Sequence, residues 1–220
     1  MKTFTPLLKY LGAFLLLYFV LYALFSFSPI ARTSANIYRV TTQPILQTFF
    51  SQAYLKLEPD NAIKSDPYLI RLVYAGNEEI RQQTELAKKT GAKSINMKAT
   101  ECDLFFNLFF TTFFVFLVAL ILITPIGLKD KLWAILSGTL LFYLFTVFKL
   151  SIFLLDLFNK STFQMYKFGE FGTSFFEGFT NLLTSLGFSS FVVILIWGVA
   201  AFRKSNWKNF LDRFGERKIS

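Results

Sequence analysis

Few side chains in this sequence are of a type that does chemistry, and they stand far apart. The sole cysteine, Cys102, lies between Glu101 and Asp103. A nucleophilic thiol needs a nearby base or cation to favour its thiolate, whereas two flanking carboxylates oppose it. Cys102 is therefore read either as the nucleophile of a membrane enzyme or as a spectator thiol, buried or facing lipid. The chain has no histidine, so imidazole chemistry is absent, and one cysteine excludes an intrachain disulfide framework and any multi-cysteine metal site. No Gly-rich nucleotide loop, zinc-ligand cluster or nucleophile elbow occurs. The expectation is a non-enzyme without catalytic residue, cofactor or metal.

Three further groups carry charge or polarity into apolar surroundings. Lys149 and Asp156 are seven residues apart, two turns along one helical face. A charge in hydrocarbon is costly and commonly marks a path or a partner. The pair is thus a candidate ion or proton relay, an intramembrane pair with another subunit, or a lysine that snorkels to the outer interface. Asn181, Ser185 and Ser189 recur every four residues, a stripe that reads as a close helix-packing seam in lipid or, alternatively, as a transport path. Near the end of the sequence, Trp207, Phe210, Leu211 and Phe214 fall at i, i+3, i+4 and i+7 among Lys and Arg. That pattern predicts a basic amphipathic helix on the anionic inner leaflet, or one that docks a cytoplasmic partner.

The elements that position these residues follow from composition. Of 220 residues, 54% are apolar and only 17% charged, and 30 are phenylalanine. So short a chain has too little polar surface to cover that much apolar side chain in water. Charge-free runs occur at Tyr10 to Ala31, Leu104 to Leu128, Leu132 to Phe148 (continuing past Lys149 to Leu155) and Gly178 to Phe202. Each is of the order of the roughly 20 residues that cross a bilayer, so the fold class expected is an all-α membrane protein with four transmembrane helices. The first run exceeds the 7–15-residue core of a secretory signal and is read as an uncleaved anchor.

The net charge is +9. Lys and Arg in short segments orient membrane proteins. Lys2, Lys9, Lys129, Lys131 and six residues of the 203–220 tail fall on one side, against Lys160 and Lys167 in the loop from Asp156 to Glu177. Both termini are expected in the cytoplasm of a multi-pass protein of the bacterial inner membrane. The lipid bilayer and other membrane-protein subunits are then the partners, and nucleic acid is not.

Four regions result: an anchor over 1–31, an extracytoplasmic segment over 32–103, a three-helix membrane region over 104–202 and a basic tail over 203–220. The extracytoplasmic segment mixes ten basic with eight acidic residues and is expected to be a small α+β unit. Thr33 to Leu57 reads as an amphipathic helix kinked at Pro44 on the outer membrane face. Tyr68 to Tyr74 reads as a strand, Glu78 to Lys89 as a helix and Ser94 to Ala99 as a second strand.

A hydrophobic N-terminal span, an outer segment of this size, and the run Phe106-Asn107-Leu108 through Ala119-Leu120-Ile121-Leu122-Ile123-Thr124-Pro125 before a short basic turn together resemble small bacterial membrane proteins associated with exosortase systems. Exosortases themselves use Cys, Arg and His in their membrane helices, and the absence of histidine here excludes that enzyme. The resemblance implies an accessory role in sorting or modifying surface proteins. The expected function is a non-catalytic accessory or scaffolding subunit of an inner-membrane complex. The alternatives are a small channel or transporter using Lys149 and Asp156, and a Cys102-dependent membrane enzyme.

Overall fold

The structure, a computed structural model, describes residues 4–59, 68–90, 99–161 and 166–202. In chain order these form α1 (Phe4–Phe25), α2 (Ser28–Phe49), β1 (Ala53–Pro59), β2 (Leu69–Gly76), α3 (Asn77–Thr90), β3 (Thr100–Phe105), a π-helical turn (Asn107–Thr111), α4 (Thr112–Ile123), α5 (Leu128–Lys160), α6 (Glu170–Thr184) and α7 (Leu186–Ala201). The protein is mostly helical with one small sheet.

Two helices, α1 and α5, are long and apolar enough to cross a membrane, and α6 with α7 makes a third if the bent pair is one span. Among the described residues that makes two to three spans, not clearly four, for local reasons. The charge-free run Leu104 to Leu128 loses its start to β3 and its end to an extended stretch after Ile123, leaving Asn107–Ile123 as a shorter apolar helix. At 1.5 Å per residue that helix is about 25 Å long. The run Gly178 to Phe202 is interrupted at Ser185, whose side chain accepts from Phe188 N at 3.3 Å and caps α7. Conversely, α5 absorbs the expected third span and continues to Lys160, 33 residues in all and about 50 Å of helix.

The chain divides into two compact units, which group it differently from the linear division read in the sequence. One comprises Met1–Phe27, Leu108–Thr146 and Leu183–Ser220, and the other Ser28–Asn107 and Val147–Leu182. In the first, Phe113, Leu117 and Ile121 of α4 recur every four residues and pack with Ala134 and Phe142 of α5 and Val193, Ile196 and Ala200 of α7. Gly138 makes this fit possible: a Cβ there would lie 3.3 Å from Ile121 Cδ1 and 3.6 Å from both Leu117 Cδ2 and Ala200 Cβ. Phe14 of α1 meets Phe116 of α4 edge-on at 5.6 Å. The end of α4 is fastened by polar bonds. Trp197 Nε1 donates to Thr124 Oγ1 at 2.9 Å, Thr124 Oγ1 donates to Leu120 O, and Lys131 Nζ donates to Leu122 O, the last covering one of the carbonyls that a helix end leaves unpaired.

In the second unit the three strands form an antiparallel sheet in the order β1-β2-β3, with Leu55 opposite Tyr74 and Leu72 opposite Cys102. Alternation sends Leu55, Leu57, Ile70, Leu72 and Tyr74 to one face, where all are buried. Phe158 of α5 packs against Phe50 and Tyr74 at 5.3 and 5.5 Å, and Tyr38 of α2 against Phe106 at 5.4 Å.

The expected strand at Tyr68 to Tyr74 and helix at Glu78 to Lys89 correspond to β2 and α3. The helix expected over Thr33 to Leu57 ends at Phe49, and its last part is instead strand β1. It runs through Pro44 without a break. Its buried stripe of Ala31, Ala35, Tyr38, Thr42 and Leu46 packs on β1 and offsets the roughly 3 kcal/mol that an interior proline costs. Ile37, Val40 and Phe49 of α2 are exposed. Of the strand expected at Ser94 to Ala99, 94–98 lie outside the described residues and Ala99 is not in a strand; β3 begins one residue later.

Candidate functional site

The polar residues gathered around the end of α5 all belong to the sheet-bearing unit. Asp156, Asn159 and Lys160 lie within its last turns, and the following loop returns as α6. Lys160 Nζ is 3.1 Å from Asp156 Oδ2 one turn back and 3.2 Å from Glu177 Oε1 on α6. Asn159 uses both ends of its amide: Nδ2 donates to Thr173 Oγ1 at 2.9 Å, and Oδ1 accepts from Phe168 N at 3.2 Å. Charged and amide groups thus tie α5 to the loop and to α6, each donor meeting an acceptor.

Two features of this region exceed what such a tie requires. Lys149 is only 3% exposed and Asp156 only 9%. Asp156 Oδ2 faces Lys160, while its Oδ1 is buried without a hydrogen-bond partner among the described residues. Lys149 lies 21 residues along α5 from Leu128, about 31 Å, which matches the roughly 30 Å thickness of hydrocarbon. Lys149 and Asp156 stand two turns apart on the same helix, and Lys160 and Glu177 extend the Asp156 end. The sequence reading missed those last two, because Glu177 is 17 residues from Lys160 and only the turn between the helices brings them together.

Cys102 sits at the middle of β3, half-buried, paired in register with Leu72. Burial pushes its thiol above the ordinary cysteine range, and the charge of Asp103 adds to the effect. Its neighbours Glu101 and Asp103 project to the opposite face, where Arg71 Nε lies 3.5 and 3.7 Å from their carboxylates. The guanidinium therefore serves the carboxylates and not the thiol.

Asn181, Ser185 and Ser189 do not lie along one uninterrupted helix. Asn181 is exposed on α6, Ser185 is the cap between the helices, and Ser189 is buried in α7 with its hydroxyl donating to Leu183 O at 3.2 Å. Trp207, Phe210, Leu211 and Phe214 lie outside the described residues. Among the described residues, no group of three or more His, Cys, Asp or Glu stands together as a metal site would. No protein-family model, curated protein or solved structure matches this chain.

Proposed function

We propose that this chain is a non-catalytic accessory or scaffolding subunit of a bacterial inner-membrane complex, acting in surface-protein sorting or envelope processing as its resemblance to exosortase-associated proteins implies. The observation that carries this reading is the shared use of Lys160. One exposed cation joins two carboxylates on successive helices, an arrangement suited to holding a shape. The raised thiol of Cys102 supports the same reading, because a nucleophilic cysteine needs the opposite shift.

In this proposal the chain crosses the membrane four times with both termini in the cytoplasm. The Asn107–Ile123 helix crosses where the bilayer thins or the segment oligomerises to accommodate its shorter length, and α6 with α7 forms one broken span. Single cysteines at Ser51, Ser161 and Ser220 in a Cys102→Ser background test this. An impermeant reagent applied outside cells should label the first two and not the third.

The partner dependence is tested by purifying the chain from its native membrane in mild detergent. A stoichiometric membrane-protein partner is expected, together with the absence of solute flux in vesicles holding this chain alone. The buried Oδ1 of Asp156 favours one second reading, a small channel or transporter. A flux in those vesicles that is lost in both Lys149→Gln and Asp156→Asn would replace the accessory reading with it.

A further inference from the structure

The two edges of the sheet are finished differently. In an antiparallel pair, directly opposed residues alternate between those that exchange backbone hydrogen bonds and those whose N–H and C=O point away. Phe106 N donates to Tyr68 O, so the even-numbered residues of β3 bond to β2, and the register of the sheet then fixes every other position. The outward backbone groups of β1 are those of Ala53, Leu55 and Leu57. Those of β3 are Glu101, Asp103 and Phe105.

The β1 edge is covered by a comb of side chains from α2. Arg39 donates to Leu57 O at 3.1 Å, Gln43 accepts from Leu57 N at 3.3 Å and Gln47 donates to Leu55 O at 3.1 Å. These residues, four apart on one helix face, do for β1 what a neighbouring strand would do. Among the described residues nothing comparable meets the outer edge of β3. Burial follows the same division. Leu55, Leu57, Ile70, Leu72 and Tyr74 are buried on the inner face of β1 and β2, whereas Thr100, Cys102 and Leu104, their continuation on β3, are half-buried. The sheet's inner face therefore runs on under β3 with less cover than it has elsewhere.

An unpaired edge is a template for another strand, and the side chains beside it indicate which kind. On the outer face Glu101 and Asp103 share one cation, Arg71, and their side chains are still 58% and 50% exposed, with Phe105 53% exposed beside them. A second copy of β3 is disfavoured: antiparallel pairing about Cys102 sets Glu101 opposite Asp103 of the other copy, and directly opposed like charges destabilise. A strand with Lys or Arg at alternate positions would instead meet both carboxylates, while its intervening apolar residues covered Cys102 and Leu104.

We propose that the outer edge of β3 is a docking site for an extended, basic segment of a partner protein, which joins the sheet as a fourth strand. This rests on the accessory-subunit reading only in taking the natural ligand to be a protein, and its test needs no complex. The full chain in detergent is examined by residue-resolved amide exchange with two peptides of about seven residues, one alternating Val with Lys and one alternating Val with Glu. The Lys peptide is expected to slow exchange at Glu101, Asp103 and Phe105 at least tenfold, with no effect from the Glu peptide.

Asp103→Pro removes an outward N–H, a position where an edge strand tolerates proline, and should abolish that protection while Leu72 and Cys102 remain protected. Should the proline disturb the sheet, Glu101→Lys with Asp103→Lys is the second variant, and it should reverse the peptide preference. Outward amides already slow in the free chain would overturn the proposal. If that slowness is independent of concentration, the chain covers its own edge; if it grows with concentration, a second copy does. Equal response to both peptides would overturn the charge recognition. Failure of the peptide while a partner co-purifies removes this inference alone, and binding of the peptide where no partner co-purifies removes the accessory reading alone.

Discussion

The two compact units solve the same packing problem with different charge on their surfaces. In the helical unit the interior is built from Phe113, Leu117, Phe142 and Val193, yet the exterior is as apolar as the interior, with Leu16, Phe19, Leu136, Leu140 and Val199 all exposed. Its buried polar groups make internal bonds such as Trp197 to Thr124. In the sheet-bearing unit Leu46, Leu55, Leu57 and Leu72 are buried, while Lys56, Glu58, Arg71, Glu101 and Asp103 share the outer face in ion pairs. The difference teaches that close packing and the charge of a surface are set separately. Close packing is needed in both, but placing charge outside and apolar groups within adds stability only where water is the solvent.

The sharpest way to break that comparison is to truncate one side chain of each kind. Phe158→Ala, which empties the space under Tyr74 and Phe50, should cost about 3–5 kcal/mol and lower the thermal midpoint of the detergent-purified chain by circular dichroism. Leu136→Ala, on an exposed face of α5, should change stability by less than about 0.5 kcal/mol. Equal losses would mean that the exposed apolar face is buried against protein rather than lipid.

Helix packing in the apolar unit predicts the next effect. Gly138→Val forces atoms into Ile121, Leu117 and Ala200, and overpacking of this kind costs about 1–3 kcal/mol. Gly198→Ala meets nothing within 4 Å and should be neutral in the same melt. A tolerated Gly138→Val would show that α4, α5 and α7 are looser than the contacts at Gly138 imply.

Smaller still is the charge on the outer face of the sheet. Arg71→Met leaves Glu101 and Asp103 without their shared cation, but exposed ion pairs are worth about 0–1 kcal/mol. The loss should be measurable by denaturant unfolding at low salt and vanish at high ionic strength. Persistence in high salt would assign Arg71 a packing role through its stem.

Least of all should stability respond to Cys102, whose signature is chemical. The folded chain holds the thiol proton to higher pH than the unfolded chain, because burial and Asp103 raise it. Its contribution is therefore whole below the unfolded thiol's range and is lost as pH rises through that range toward the folded value. Alkylation by iodoacetamide near pH 8 should be slower in the folded chain than in the same chain denatured, with the gap closing at higher pH. Faster alkylation of the folded chain would restore Cys102 as a candidate nucleophile.

The sequence by itself determined what depends on neighbours along the chain. Long charge-free runs required apolar helices, the β-branched and aromatic stretch at Tyr68 to Tyr74 required a strand, and Glu101 and Asp103 already argued against a thiolate at Cys102. Only the tertiary structure decided what depends on residues distant in sequence. Ala53 to Leu57 read as the end of a helix until pairing with β2 made it part of a strand, and β3 took the start of a run that read as membrane span. Ser185 ended α6 and capped α7 within a run that carries no charge to mark the break. Lys160 found Glu177, and Arg39, Gln43 and Gln47 found the edge of β1, only once the chain had turned back on itself. Hydropathy and helix period record local preference, whereas strand register, edge coverage and ion pairing are fixed by which backbone groups and charges the fold brings within hydrogen-bond reach.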